Sequence, residues 1–243
     1  LVPALLHPAG SAPGGAEVFA LRSEGWWGPV VTALGTGGAW NADAVPASRA
    51  TLLAPLLTVV LLALAWYGRR GTVRLLGRPV AWTLAVVSLV LLTVTVLGAI
   101  APTAPWVQGV IEAVPGGGLL RDAQKWSAPW LLLLACAAGA GAGRLVRRLA
   151  RRSGDRVVGR VAAVGLLALP LVAMPDLAWG ALCRLSSVDY PPDWERARAV
   201  LLADPAPGDV VSLPWSAFRR FEWNAGRTVL DPAPRAMPRT VVS

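Results

Sequence analysis

The chain has 243 residues, of which 55% are hydrophobic and only 15% charged, with a mean hydropathy of +0.53. Soluble domains carry about 25% charged residues, so the composition excludes an ordinary cytosolic enzyme and points to a membrane protein. The net charge of +9 does not mark a nucleic-acid binder, because it is confined to two places. Residues 69–78 and 144–160 hold eleven arginines and one acid between long apolar runs, and the remainder of the chain is close to neutral.

Four segments reach the roughly 20 apolar residues that a helix needs to cross hydrocarbon: 50–68, 80–100, 126–143 and 161–182. Lipid offers no partner to a bare amide, so such runs are expected to be helices. Residues 1–49 are then a loop on one side of the membrane, after what reads as a cut helix end, Leu1 to Leu6. Its best-defined part is Gly37-Gly38-Ala39-Trp40-Asn41-Ala42-Asp43-Ala44-Val45-Pro46. Asn41 and Asp43 are candidates for binding a sugar hydroxyl or a metal; the alternative is that one of them caps a short re-entrant turn.

The first span ends at Trp66-Tyr67 and is followed by Arg69, Arg70, Arg74 and Arg78; the second begins at Trp82. Between the second and third spans, Val107, Val110, Ile111 and Val114 follow helical spacing and predict a short interfacial helix, which Pro115-Gly116-Gly117-Gly118 ends. Leu119 to Trp126 then leads into the third span. On a helix Arg121 and Lys125 share a face near the headgroup level, which suits the phosphate of a lipid-linked substrate. The alternative is that both side chains simply anchor the helix end. Asp122, between them, joins Asn41 and Asp43 as a candidate polar site residue.

The third span is rich in Ala and Gly from Ala135 to Gly143, a face expected to pack closely on another helix. The arginines of 144–160 need nothing beyond topology, with attraction to anionic lipid as a by-product. Both arginine stretches fall on one side, which the positive-inside rule makes cytoplasmic. Both ends of the chain are then extracytoplasmic. The fourth span carries Pro170, Pro175 and Asp176, and Asp176 is either an intramembrane functional acid or part of an interfacial helix break.

Residues 184–243 read as the start of a small mixed α/β tail, with a helix over 192–202 and strands at 210–215 and 227–230. Trp215, Phe218, Phe221 and Trp223 are either core aromatics or platforms for sugar rings. The expected fold is therefore an all-α bundle of four transmembrane helices with extracytoplasmic loops and this tail, and Thr240 to Ser243 suggests that the chain continues. Cys136 and Cys183 lie at different depths and are expected to stay unbridged. His7 is the single histidine, so neither a His-based metal site nor Ser-His or Cys-His catalysis is expected.

The ordered series 37–46, Arg-Asp-Ala-Gln-Lys-Trp (121–126), Leu-Pro-Trp (213–215) and Trp-Asn-Ala-Gly-Arg (223–227) resembles the later half of large actinobacterial polytopic membrane proteins. Those are similar to the GT-C class of glycosyltransferases, with arabinofuranosyl- and mannosyltransferase-like members. The resemblance implies a polyprenyl-phosphate-linked sugar donor, a glycan acceptor, and inverting transfer outside the cytoplasm. It also implies a divalent metal in some full-length members, with no cofactor assigned to these residues. The catalytic acid of that class usually lies in an early loop, so no catalytic residue carries over. The contrasting expectation is a non-enzymatic transporter or flippase component, or an envelope scaffold, which needs only the helices, their packing face and the tail.

Overall fold

A computed structural model describes residues 14–42, 45–183, 185 and 187–242. They fall into two compact units, Leu1–Ala178 and Trp179–Ser243. The first unit is helical: α1 (Gly15–Val18), α2 (Gly28–Leu34), α3 (Leu53–Leu76), α4 (Arg78–Leu97), α5 (Ala104–Ala113), α6 (Ala128–Ser153) and α7 (Arg156–Ala173).

Helices α3, α4, α6 and α7 are each long and apolar enough to cross a membrane. At most 22% of the most apolar stretch of each is buried within the protein. Leu56, Val59, Leu89, Leu167 and Leu171 all point outward. In water such a surface would cost about 25 cal/mol per Å²; in hydrocarbon it costs nothing. The chain is a multi-pass membrane protein.

The helices overrun the apolar segments at the arginine-bearing end. Expected to stop at residue 68, α3 continues through Arg69, Arg70 and Arg74 to Leu76. There Gly77, at φ 80°, turns the chain directly into α4. Likewise α6 runs to Ser153 through five arginines, and Asp155 caps α7 by accepting the Val157 N–H at 2.7 Å. Arginine is a good helix former, so leaving the hydrocarbon gives no reason to stop.

At the other end, the fourth helix stops short of the expected residue 182. It ends at Ala173, and Met174 (φ −136°, ψ 67°) leads into a 3-10 turn at Pro175–Leu177. The residue before a proline is pushed out of the α region, so Pro175 ends the helix where hydropathy alone would have continued it. Asp176 thus sits in a helix break, where its Oδ2 accepts the Ser48 N–H at 2.6 Å.

The tightest helix pair is α3 with α6, and its closeness rests on glycine. A β-carbon on Gly141 would lie 2.7 Å from the Leu64 carbonyl carbon, and one on Gly68 would lie 2.9 Å from Gly141 Cα. Ala137, Ala138 and Gly141 are buried in this seam. Small residues let backbones touch where lipid offers no hydrophobic drive for helices to associate.

The second unit contains α8 (Pro192–Ala203), β1 (Val210–Val211), β2 (Phe218–Arg220), β3 (Thr228–Leu230), α9 (Ala233–Ala236) and β4 (Val241–Val242). β1 pairs with β4 in parallel, while β2 and β3 form an antiparallel hairpin with Phe218 opposite Leu230. The strand expected over 210–215 is therefore only two residues long, and the terminal valines complete it. Arg219 and Asp231 hold the unit together. The Arg219 Nε donates to Asp231 Oδ2 at 2.5 Å and Nη2 donates to Ser212 Oγ at 2.8 Å. The Ala233 N–H donates to Asp231 Oδ1 at 2.9 Å. Both cysteines are free thiols.

Candidate functional site

The end of the bundle opposite the arginines is closed by a cap built from residues 14–42, 45–50 and 98–127. Its core is Leu21, Ala33 and Leu92, with Leu34, Val96, Ala99 and Trp130 packed around them. The Trp130 indole N–H donates to the Leu34 carbonyl at 2.9 Å, so this tryptophan pins the cap to α6.

A buried ion pair, absent from the sequence-based candidates, organises the cap. Arg49 Nη2 and Nε lie 2.6 and 2.9 Å from Glu24 Oε2, and the Glu24 side chain is 4% exposed. Arg49 also donates to the Gly35 carbonyl at 3.2 Å, and the Gly38 N–H donates to Glu24 Oε1 at 3.0 Å. Any β-carbon on Gly37 would collide with the Glu24 carboxylate and the Arg49 guanidinium, while Gly38 holds φ 94° against Leu21. The Gly37-Gly38 pair of the 37–46 motif is therefore a cradle for an internal carboxylate. No spacing rule marks Glu24 and Arg49; they meet only because α2 reverses the chain between them.

The remaining candidates of that motif divide. Asn41 is exposed, and Asp43 lies outside the described residues. Trp40 packs edge-on against Phe19 with ring centroids 5.0 Å apart, and the Arg121 guanidinium lies 4.8 Å from the Phe19 ring centroid. Trp40 and Arg121, from motifs far apart in the chain, therefore meet at one aromatic ring.

The short helix expected around 107–114 is present as α5, with Ile111 buried beneath it. The continuation differs. Arg121 and Lys125 do not share a helix face, because 117–127 forms two 3-10 turns, Gly117–Leu120 and Ala123–Ser127. The break falls at Asp122 (φ −90°, ψ 88°). In a 3-10 turn residues three apart eclipse one another, and Lys125 Nζ accordingly pairs with Asp122 Oδ2 at 3.0 Å. Lys125 is 76% exposed on its side chain. Arg121 turns the other way, toward a cleft.

That cleft, about 50 Å³, is walled by Val94, Val107, Ile111 and Leu120, with Glu17, Thr95, Gln108, Arg121 and Trp126 as its polar lining. It has room for one or two small groups, such as a phosphate or a bend of an alkyl chain, and is too small for a sugar ring. The Trp126 indole N–H is buried and has no hydrogen-bond acceptor among the described residues. A buried unpaired donor costs about 1–3 kcal/mol. Arg121 lies at the rim, and its stacking on Phe19 fixes its direction.

Among the described residues no three His, Cys, Asp or Glu side chains come together as a metal-binding group. Of the tail aromatics, Phe221 and Trp223 stack with centroids 4.8 Å apart and join Tyr190 and Trp194 in one cluster. Trp215 and Phe218, by contrast, are exposed. The four aromatics of the sequence reading thus split evenly between packing and surface. No family model, curated protein or solved structure matches this chain.

Proposed function

We propose that this chain is a membrane-embedded part of a cell-envelope glycosyltransferase-like protein, similar to the GT-C class, that holds the phosphate of a polyprenyl-linked sugar at its cap. The arginine-rich ends of α3 and α6 face the cytoplasm, as the positive-inside rule requires. The cap and both chain ends are then extracytoplasmic.

The observation that carries this reading is the cleft, a largely apolar notch whose lining holds the oriented Arg121 guanidinium, with Glu17 as the acid beside it. An isoprenoid phosphate has the matching chemistry, a hydrocarbon chain ending in an anion that accepts hydrogen bonds. Arg121 steadies the phosphate as leaving-group charge develops. Lys125 takes no such part, since Asp122 already pairs with it. The glycan acceptor and the catalytic acid are not assigned to residues of this chain.

The test uses the protein in nanodiscs of neutral phosphatidylcholine, titrated with a polyprenyl monophosphate and with the matching uncharged polyprenol. The monophosphate binds in preference, Arg121→Ala weakens it roughly tenfold or more, and Lys125→Ala leaves it unchanged. Equal binding of phosphate and alcohol, or an Arg121→Ala variant that binds normally, overturns the assignment.

One observation favours the scaffold reading instead. Phe218 and Leu230, paired across the tail hairpin, leave an exposed apolar face, and a partner surface needs nothing more.

A further inference from the structure

The arginines of α6 are arranged more specifically than topology demands. Arg144, Arg147, Arg148, Arg151 and Arg152 follow i, i+3, i+4, i+7, i+8 spacing, so all five project from one stripe of the helix. All are exposed, and among the described residues none forms an ion pair with a carboxylate. Like charges three and four residues apart destabilise a helix by about 0.2–0.5 kcal/mol per pair. A rule that counts charge on one side of a membrane would be met equally well by arginines spread around the helix.

Together with Tyr67 of α3, these five side chains enclose an open groove of about 380 Å³ whose lining contains no acid. Two of them are already oriented. Arg144 Nη1 donates to the Tyr67 carbonyl at 3.1 Å, and its guanidinium stacks 4.4 Å from the ring centroid. Arg148 Nη1 reaches the Tyr67 hydroxyl at 3.4 Å. Among the described residues, no other side chain takes the donors of Arg147, Arg151 and Arg152. The groove begins where the apolar stretch gives way at Gly143, the level at which lipid phosphates lie.

We infer that this groove is a binding site for the phosphate-bearing headgroup of an anionic phospholipid, gripped by the α6 arginine stripe with Tyr67 as its fixed wall. Guanidinium forks take phosphate oxygens two at a time. The lipid supplies the counter-charge that the stripe lacks, and a headgroup wedged between α3 and α6 ties their ends together. Free phosphate shares the chemistry but not the acyl chains that hold a headgroup at this depth.

The protein is reconstituted in vesicles of phosphatidylcholine with one-fifth phosphatidylglycerol, extracted in mild detergent, and its retained lipid counted by native mass spectrometry. Phosphatidylglycerol is retained on the wild-type chain. Arg148→Gln with Arg151→Gln reduces this retention roughly tenfold. The charge-matched control, Arg69→Gln with Arg70→Gln, leaves it unchanged, because those residues lie outside the groove. Arg148→Lys with Arg151→Lys, which preserves total charge and guards against misfolding, still weakens retention. Equal loss in the groove and control variants would show diffuse attraction and overturn the site. Displacement of the lipid by millimolar inorganic phosphate would overturn the lipid as its occupant.

Discussion

Gly141→Ala adds one methyl group at the closest approach of α3 and α6. The new β-carbon would stand 2.7 Å from the Leu64 carbonyl carbon, against an optimum of about 3.5–4.0 Å. The two backbones must therefore part by about 1 Å, since neither carbonyl nor helix can fold aside. A gap of that size forfeits a quarter to a half of each dispersion contact along the seam. Overpacking of this kind costs about 1–3 kcal/mol, and we expect about 2 kcal/mol here. Gly139→Ala is the control, because a β-carbon there meets nothing within 4 Å. Both variants add the same methyl to the same helix, so any change in helix propensity cancels between them. The assay is thermal unfolding in detergent micelles, with cysteine cross-linking between α3 and α6 as a second readout. Gly141→Ala should lower the midpoint by about 5 °C and reduce cross-linking, while Gly139→Ala should do neither. Equal stability of the two variants would mean that the helices do not meet at this seam, and the packing argument would be lost.

The remaining predictions concern the cap, the tail and the orientation. Glu24→Ala strands Arg49 in a site where its side chain is 15% exposed, and should cost about 3 kcal/mol. Adding Arg49→Leu should restore part of that loss, as measured by unfolding of the single and double variants. In the tail, burial pushes the Asp231 carboxyl up, but the Ala233 N–H, the Arg219 guanidinium and the Ser212 hydroxyl together draw it below the ordinary aspartate range. A depressed carboxyl lends stability that is present above the unfolded value and is lost as pH falls through the folded one. Fluorescence of the tryptophan cluster should therefore change at acid pH, and Asp231→Asn should show the same change already at neutral pH; an unaltered variant would contradict the pairing. Orientation is checked by impermeant thiol labelling of intact cells in a Cys136→Ala, Cys183→Ala background. Lys125→Cys should label and Ser153→Cys should not, and the reverse pattern would invert the proposed topology.

The four membrane helices were legible because lipid enforces a simple rule. Every amide must pair within its own segment, so apolar length alone announces a span, and Arg69 to Arg78 and Arg144 to Arg160 mark its ends. The helix at 107–114 was legible for a related reason, its period of 3.6 residues. Boundaries were less so. Hydropathy falls at Arg69 and Arg144, but backbone hydrogen bonding does not, and α3 and α6 run on. The fourth helix erred the other way, since Pro175 stops a helix that apolarity would prolong.

The candidate site was only partly readable. Residue type and headgroup depth singled out Arg121. Its pairing with Lys125 assumed one continuous helix, and the 3-10 geometry gave Lys125 to Asp122 instead. Glu24 with Arg49, and Arg219 with Asp231, carry no local signature at all. Composition and periodicity determined by themselves the four helices, among the described residues, that are long and apolar enough to cross a membrane, because each amide is satisfied within a few residues of its own position. Only the tertiary structure decided which charges are paired inside the protein and which stay exposed, because that depends on where the chain turns back on itself.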